Sequence, residues 1–335
     1  MKIEKEFKFK FLKVESQKIF FKSSYPWKIC LNANSEIIVE GNYFYLEFNN
    51  FNISKLGKLF SEIWKNFYGL STLKNEFKNL ELRPYQKEDV EFLSSHDSVA
   101  IFNEMRTGKT PTSLMLCKKW FANKILVICP SILQNQWQTS IEDWLKIPSY
   151  VIGNLPLEDR IFIYEKFFVQ NGFSIVISKD LFKADYIVFN SIRKLNNFSS
   201  DFCVIVDESH FLRNYDSQQS KAIFSLSYAK FKVVLTGTPF VNKYSDIFGI
   251  LKFLYPLEYK SNLKFLNEYF KIRNIEFKKG NKKICIKEVI GFKNSNFKDR
   301  FINKISSFSV KRKQSEVLPW IPNVIRTKEY LIMEE

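Results

Sequence analysis

The sequence is poor in the residues that build metal sites and disulfide frameworks. Of its 335 residues, 5 are cysteines and 2 are histidines. No two cysteines stand in a Cys-x-x-Cys pair, and three of them lie inside apolar runs. This usage is typical of small buried side chains in a reducing compartment. Because His96 and His210 are the only imidazoles available, we expect no zinc site.

A long uninterrupted hydrophobic segment is also missing. The N-terminus, MKIEKEFKFKFLKV, alternates charged residues with phenylalanine and has no continuous apolar core. It therefore predicts neither a signal peptide nor a membrane span, and no other segment reaches spanning length. We expect a cytoplasmic protein, bacterial or viral and intracellular, that is not secreted and makes no membrane contact.

What the chain has in excess is positive charge. Its 51 lysines and arginines against 35 acidic residues give a formal net charge of +16. This balance favours a polyanionic partner such as nucleic acid. The 35 phenylalanines and 10 glycines are also expected of an AT-rich genome, so a compositional origin of part of the basic excess stays open. The length predicts two units or one large α/β domain.

The residue pattern divides the chain into three regions. Residues 1–78 begin with alternating apolar and polar positions, which predict a small antiparallel sheet, and continue with an amphipathic helix from about Ser54. Residues 79–256 contain short apolar runs separated by helical segments. Residues 257–335 are charged and aromatic, with a predicted hairpin around Lys279-Gly-Asn-Lys.

Six nearly continuous apolar runs in the middle region predict buried strands. Strands that are buried on both faces and joined by crossover helices form a parallel sheet, whose ligands bind at the carboxyl ends of the strands. The runs are Val99–Phe102, Ile125–Cys129, Ser174–Ile177, Tyr186–Phe189, Cys203–Val206 and Val233–Leu235. The residues that carry chemistry follow several of these runs, so we expect them at one edge of the sheet.

The run IFNEMRTGKTPTSL, residues 101–114, has the layout of a phosphate-binding loop. A short strand leads through a polar loop into Gly-Lys-Thr, and a helical pattern follows at once. Backbone N–H groups and the helix N-terminus would meet the phosphates, Lys109 would add a point charge, and the Thr110 hydroxyl would ligate Mg²⁺. The full pattern has Gly where this chain has Asn103, so the triplet alone is also compatible with an ordinary turn.

An acidic pair follows another predicted strand. In CVIVDESHFLRN, Asp207 and Glu208 come directly after the strand. Nucleotide hydrolysis needs one carboxylate for the Mg²⁺ shell and another to polarise the attacking water. An acidic turn is the alternative, which the upstream Gly-Lys-Thr makes less favoured.

Three further runs have chemistry that suits the same site. VVLTGTPFVN places Thr236, Gly237 and Thr238 after a strand, where hydroxyls would sense the γ-phosphate, although a simple turn is also possible. ICPSILQNQW places Ser131 and Gln134 at a helix start, which suits contacts to a phosphate backbone. In LRPYQ, Gln86 would read an adenine edge, while a Pro-initiated helix is the alternative.

These five runs, in this order and spacing, resemble the ATP-binding lobe of superfamily-II helicases, most closely the Swi/Snf family of DNA translocases. LRPYQ is similar to the family's adenine-reading element, NEMRTGKT to motif I, CPSILQNQW to motif Ia, DESH to motif II and TGTPFVN to motif III. FGILKFLYP, GFKN and SVKRKQSEVLPWIP extend the resemblance to residues 80–330. It implies a RecA-like parallel sheet flanked by helices, a P-loop NTPase fold, over 79–256. Residues 1–78 would be an accessory α+β element and 257–335 an extension.

The resemblance also implies roles for individual residues. ATP and Mg²⁺ would be the cofactors, with Lys109, Asp207 and Glu208 catalytic and with Thr110 and Asp207 on the metal. The nucleotide would be contacted by Arg83, Gln86, Arg106, Thr107, Gly108, Lys109 and Thr110. Thr236, Gly237 and Thr238 would couple nucleotide state to the grip on double-stranded DNA. Ser131, Gln134, Lys311, Arg312 and Lys313 are candidate DNA contacts, for which a solvated basic face is the alternative.

Two departures from the family pattern bear on activity. Arg106 and Thr107 stand where motif I usually has Gly-Leu. The family also carries a second RecA-like lobe with transition-state arginines, which we expect on a separate or missing segment. An arginine finger contributes about 10³–10⁵ in rate, so we expect this lobe to bind ATP and hydrolyse it weakly.

Other classes of protein fit less well. The Asn-Lys-x-Asp signature of guanine recognition is missed by one residue in Asn242-Lys243-Tyr244-Ser245-Asp246. A small-molecule kinase would have no use for the motif Ia and III runs. A catalytically inert fragment that binds nucleic acid or a partner remains the alternative.

Overall fold

The chain divides into two compact units, Met1–Lys78 and Asn79–Glu335, and each is described by itself. The computed structural model describes four strands between residues 9 and 47 as backbone, and residues 80–319 except 154, 241–242 and 280–281. Over 276–287 the description is of the backbone alone.

The first unit contains a four-stranded antiparallel sheet with strand order β1-β2-β4-β3. The strands are β1 (Phe9–Glu15), β2 (Lys18–Ser23), β3 (Ile37–Glu40) and β4 (Tyr43–Glu47). The antiparallel sheet predicted from the alternating pattern is confirmed. The amphipathic helix predicted from Ser54 lies outside the described residues.

The second unit is built around a seven-stranded parallel sheet with order β13-β5-β10-β9-β6-β8-β7. Its strands are β5 (Ser98–Ile101), β6 (Lys124–Cys129), β7 (Ser149–Ile152), β8 (Phe173–Ser178), β9 (Cys203–Val206), β10 (Phe231–Leu235) and β13 (Ser309–Val310). Five of the six predicted strands are among them, so the predicted parallel α/β sheet is confirmed.

Ten described helices belong to this unit. They are α1 (Pro84–Leu93), α2 (Lys109–Lys119), α3 (Gln134–Leu145), α4 (Leu157–Val169), α5 (Lys179–Leu195), α6 (Gln218–Phe224), α7 (Phe248–Leu254), α8 (Asn262–Tyr269), α9 (Ser295–Ser306) and α10 (Gln314–Val317). Within the described residues, no helix combines the length and the apolarity that a bilayer span requires.

Both faces of the central strands are buried, as strands linked by crossover helices require. Alternate residues of the strands, such as Ile125 and Ile205, pack with Leu114 of α2 and Trp137 of α3. The intervening residues, Leu126 among them, are also fully buried. The apolar runs between the polar loops therefore form the central strands, whose two faces are both covered by the rest of the unit.

The strand predicted at Tyr186–Phe189 is wrong, because this run lies inside α5. The helix begins after Ser178, whose Oγ accepts a hydrogen bond from the Leu181 N–H. Phe182 and Phe189 are buried on one face, while Ile187 is 61% exposed. A strand buried on both faces would have covered Ile187, whereas a helix leaves one side in water. Four apolar residues in a row fit either structure, and the helical spacing appears over the longer window.

The sequence analysis also missed the two edge strands, β7 and β13. They contain 4 and 2 residues, too few to produce a distinctive periodicity. The last part of the unit holds a two-stranded antiparallel hairpin, β11 (Phe270–Lys279) and β12 (Lys282–Phe292). Its predicted strands are thus confirmed. At its base, Phe270 and Phe292 stack with ring centroids 4.9 Å apart.

Candidate active site

The loop between β5 and α2 has the backbone shape of a phosphate cradle. Gly108 caps α2 in the left-handed region, with φ +78°. A Cβ at this position would lie 2.2 Å from Nε2 of Gln86, so glycine is required by both conformation and space. Arg106 is exposed and also has a positive φ, +65°. The loop therefore ends at a helix N-terminus whose first N–H groups are available to an anion.

The ammonium group of Lys109 is held against this loop. Its Nζ donates to the backbone oxygens of Asn103, at 3.1 Å, and of Glu104, at 3.3 Å. Burial lowers the pKa of Lys109, and the negative charges of Glu208 and Asp207 oppose that shift. The acidic pair is thus near enough to Lys109 to interact with it electrostatically, as the positions of their strands in the sheet require.

Asp207 follows β9 and is almost completely buried, with 8% exposed. Its Oδ2 accepts a hydrogen bond from Nε1 of Trp137 at 2.9 Å, and its Oδ1 accepts one from the Glu208 N–H at 2.8 Å. Burial raises the pKa of Asp207, and these two hydrogen bonds act in the opposite direction because they favour the carboxylate. The carboxylate is therefore fixed in orientation before any ligand binds.

Trp137, the last residue of the run ICPSILQNQW, is a site residue that the sequence by itself indicates only as core. It is buried, at 2% exposed, and it also orients Asp207. An indole has one N–H donor, which needs a partner when the ring is buried. That requirement is the signal that would have linked a core tryptophan to the acidic pair.

Glu208 adopts a left-handed backbone conformation, with φ +46°. Non-glycine residues in this region are uncommon and concentrate at functional sites, where surrounding structure maintains them. The Oε2 of Glu208 lies 3.3 Å from Nδ1 of His210, and its side chain is 28% exposed. Glu208 thus keeps access to solvent beside the buried Asp207.

Gln86 packs against the phosphate loop. Its Nε2 donates to the backbone oxygens of Thr107, at 3.1 Å, and of Gly108, at 3.4 Å. Its Oε1 accepts from the Arg83 N–H, and Tyr85 adds a bond from its hydroxyl to the Thr107 oxygen. An amide oxygen has two lone pairs, and the Arg83 N–H uses one of those of Oε1. The Gln86 side chain therefore fixes the position of the phosphate loop relative to the start of α1.

The segment after β10 joins the loop and the acidic pair. The Thr236 N–H donates to the Ile101 oxygen, and its Oγ1 accepts from the Thr238 N–H, both at 3.1 Å. The Ser209 hydroxyl, buried next to the acidic pair, donates to the Leu235 oxygen at 3.1 Å. Thr236 is fully buried and Thr238 is exposed.

Gly237 lies against the phosphate loop itself. A Cβ built on Gly237 would be 3.7 Å from both the Asn103 oxygen and the Met105 nitrogen. Even a methyl group at this position would touch the loop. Movement of the loop on ligand binding would therefore meet this segment directly.

The candidate DNA contacts are in three different environments. Ser131 is exposed at the start of a short 3₁₀ helix, and Gln134 donates through Nε2 to the Ile152 oxygen at 3.2 Å. Lys311 is exposed, as is Lys313, which pairs with a carboxylate on α10. These residues follow different strands of the sheet.

Arg312 faces the interior. Its Nε lies 2.9 Å from Oδ1 of Asp89, and its Nη2 lies 3.1 Å from Oε2 of Glu88. The guanidinium is thus already paired with carboxylates of α1, unlike the lysines on either side. A DNA contact by Arg312 stays a prediction.

The donor set at the acidic pair suits Mg²⁺. Among the described residues, no three His, Cys, Asp or Glu side chains group into a complete metal cage. Mg²⁺ is typically held by one or two carboxylates together with substrate phosphates and waters. The orientation of the Asp207 carboxylate and a hydroxyl at Thr110, the second residue of α2, fit that incomplete protein shell.

Comparison with known proteins gives a family match over most of the chain. The sequence model of the SNF2-related domain matches residues 85–334. Chromodomain-helicase-DNA-binding protein 8 of Danio rerio is 28% identical over 215 residues, which cover 60% of this chain and 8% of that protein. The probable ATP-dependent DNA helicase CHR12 of Arabidopsis thaliana is 27% identical over 258 residues, covering 72% of this chain and 22% of the relative. This chain thus spans less than a quarter of the length of either relative.

The fold is shared with a solved structure. The Sulfolobus solfataricus SWI2/SNF2 ATPase core in complex with dsDNA superposes with a TM-score of 0.51 and 20% identity, covering 70% of this chain and 45% of that chain. The predicted RecA-like fold is confirmed by this likeness. The expected bacterial or viral cytoplasmic localisation is wrong, because the relatives are eukaryotic proteins, among them chromodomain-helicase-DNA-binding protein 8 of Danio rerio and of Homo sapiens and a helicase of Arabidopsis thaliana.

Proposed function

Because this chain belongs to the SNF2-related domain family, we propose that it is the ATP-binding lobe of a motor that moves along double-stranded DNA. The family match establishes an SNF2-type ATPase domain. The proposals about ATP binding, hydrolysis and movement on DNA rest on the geometry of the site. The observation that carries it is that Lys109 follows a loop with positive φ at Arg106 and Gly108 and lies within electrostatic range of Asp207 and Glu208.

On ATP binding, the phosphate oxygens would replace the backbone oxygens of the loop as hydrogen-bond partners of the Lys109 ammonium group. In the structure the ammonium donates to two backbone carbonyls, which are weaker partners than anionic phosphate oxygens. The N-terminus of α2 points its free N–H groups at the same position. Arg83, Arg106, Thr107, Gly108 and Thr110 belong to the same nucleotide contact surface, and Gln86 would give its remaining lone pair to adenine.

Hydrolysis assigns different tasks to the two acids. Asp207, buried and oriented by Trp137, would hold Mg²⁺ together with Thr110. Bound Mg²⁺ would neutralise charge on the phosphate oxygens. Glu208 would accept a proton from water as the water oxygen bonds to the γ-phosphorus and the bond to the bridging β–γ oxygen breaks. The products are ADP and inorganic phosphate.

The coupling of hydrolysis to DNA would pass through the segment after β10. Thr236, Gly237 and Thr238 lie between the loop and the acidic pair, with Ser209 as a hydrogen-bonded link. Ser131, Gln134, Lys311 and Lys313 would contact the DNA backbone. The net charge of +16 and the dsDNA complex named for the SWI2/SNF2 core support a duplex partner.

A second RecA-like lobe would complete the active site. This chain matches 45% of the SWI2/SNF2 core, which supports the view that it represents one part of a larger motor. An arginine from another lobe contributes about 10³–10⁵ in rate, so turnover by this chain alone would be slow. The competing function is a lobe that binds DNA or a partner without turnover.

Phosphate release with and without duplex DNA distinguishes these functions, both for the chain alone and with a supplied second lobe. The Glu208→Gln variant should bind ATP normally and lose turnover, because the amide cannot accept the proton. Glu158→Gln, an exposed acid in the first turn of α4, is the matched control. Normal turnover by Glu208→Gln would remove its assigned role, and no turnover by the unaltered chain in any of these conditions would favour the inert lobe.

A further inference from the structure

The chain that follows α9 runs along the edge of the sheet and on to the phosphate loop. The N–H groups of Ala100 and Phe102 donate to the oxygens of Phe308 and Val310, at 3.1 and 2.8 Å. The Glu104 N–H continues the series with a 3.0 Å bond to the Arg312 oxygen. The pairing of β5 with β13 thus extends beyond the strand into the loop that holds Lys109.

Arg312 neutralises a carboxylate that has no access to water. Asp89 is fully buried, and its Oδ1 lies 2.9 Å from Nε and 2.8 Å from Nη2 of Arg312. The carboxylates of Asp89 and Glu88 raise the pKa of Arg312, against the effect of burial. A buried carboxylate needs both a charge partner and hydrogen-bond donors, so Arg312 and Asp89 fix each other's positions.

Asn103 connects this ion pair to the phosphate-binding lysine. Its side chain is fully buried, donates through Nδ2 to Oδ2 of Asp89 at 3.0 Å and accepts from the Arg312 N–H at 2.8 Å. Its backbone oxygen accepts from Lys109 at 3.1 Å. One residue therefore has its side chain in the ion-pair network and its carbonyl on the ammonium group.

We infer that Arg312 is a positioning residue for the nucleotide site, acting through Asn103 on the phosphate loop. The inference rests on the proposed function of that loop. The 308–314 segment docks on the lobe through Arg312, so nucleotide affinity would depend on whether that segment holds its docked position. Lys311 and Lys313, exposed on either side, do not enter the network.

The network predicts a defined effect of substitution. Arg312→Lys keeps the positive charge but loses the planar pair of donors, and Arg312→Ala removes both. Each variant should weaken affinity for fluorescent ADP with Mg²⁺, by about tenfold for Ala, within the usual range of coupling between linked sites. Arg300→Ala, an exposed arginine on α9, is the matched control.

Folding must be separated from positioning, because Arg312→Ala leaves a buried charge on Asp89. The Asp89→Leu/Arg312→Leu double variant removes both charges and should fold while still weakening ADP binding. Asn103→Ala combined with Arg312→Lys should weaken binding less than the sum of the single effects, because both act on one link. A network with a purely structural role would change the unfolding midpoint and leave the ADP affinity of the folded variants unchanged.

Each result decides the question. Wild-type ADP affinity in folded Arg312→Lys and in the double variant would overturn the inference. Lys109→Ala in the same assay tests the proposed site itself. If Lys109→Ala binds ADP as the unaltered chain does, the proposed function fails; if it loses ADP while the Arg312 variants retain it, the positioning role alone fails.

Discussion

Replacing Trp137 by Phe should move the acid limb of turnover to higher pH. The substitution keeps an aromatic ring in the core and removes the N–H that donates to Oδ2 of Asp207. That bond favours the charged carboxylate, whereas burial favours the neutral acid and raises the pKa of Asp207. Without the indole N–H, less opposes the rise in the pKa of Asp207 that burial causes. The carboxylate that would hold Mg²⁺ therefore forms at a higher pH.

The magnitude follows from the strength of a hydrogen bond to a charged group. Such bonds contribute about 1.5–3 kcal/mol. Their loss should raise the pKa of Asp207 further, by less than the full bond would give because water replaces part of it. Because the pKa of Asp207 is higher in the folded protein than in the unfolded chain, the folded state binds the proton more tightly. Its contribution to the free energy of unfolding is therefore greatest at low pH and is lost as the pH rises from the unfolded pKa through the folded pKa. In the variant this loss continues to a higher pH.

The assay is phosphate release against pH for the complete motor at saturating ATP. Trp144→Phe is the matched control, since it lies on the same helix, packs against the same core and is half-buried. A pH profile for Trp137→Phe that overlays that of Trp144→Phe would refute the assignment of the indole as a partner that tunes Asp207. A loss of activity that is equal at every pH would also contradict it.

Three further substitutions test the site and its scaffold. Lys109→Ala should abolish ATP binding by removing the phosphate charge; unchanged affinity in equilibrium titration would refute the site. Gly108→Ala should weaken ATP binding by at least tenfold, because a positive φ costs a non-glycine residue about 1–2 kcal/mol and the new Cβ displaces Gln86. The measurement is a nucleotide titration, with Gly153→Ala as the control because a Cβ there meets open space. Asp185→Ala should destabilise the fold by about 3–5 kcal/mol, since it leaves the mostly covered Arg160 guanidinium without its carboxylate and the Tyr164 hydroxyl without its acceptor. Urea unfolding should show this loss while ATP affinity stays normal, and a stability loss below about 1 kcal/mol would contradict it.

Much of the sheet could be predicted because its strands are locally distinctive. Runs of three to five mostly β-branched or apolar residues between polar loops are the direct consequence of burial on both faces, and five of six predicted strands are found. The sixth, Tyr186–Phe189, has the same local composition but belongs to a helix of 17 residues. Four residues span little more than one helical turn of 3.6 residues, so composition alone cannot distinguish the two structures there.

The site was predictable to the extent that its residues follow strands. Lys109, Asp207 and Glu208 were assigned from their positions after apolar runs, and the parallel sheet accounts for their proximity. Trp137 and Asp89 were not assigned, because one reads as core and the other as an ordinary helix residue. Their roles depend on what lies opposite them in three dimensions.

The sequence by itself determined the succession of strand, glycine loop and acidic pair, because each depends on neighbours within a few residues. Backbone conformation at Gly108 and the apolar strands are local properties of this kind. Tertiary structure decided which side chains share an environment: Trp137 meets Asp207 across 70 positions, and Arg312 meets Asp89 across 223. Such contacts form when strand order and helix packing close long loops, and the free energy of burying a charged group then determines which partner it must have.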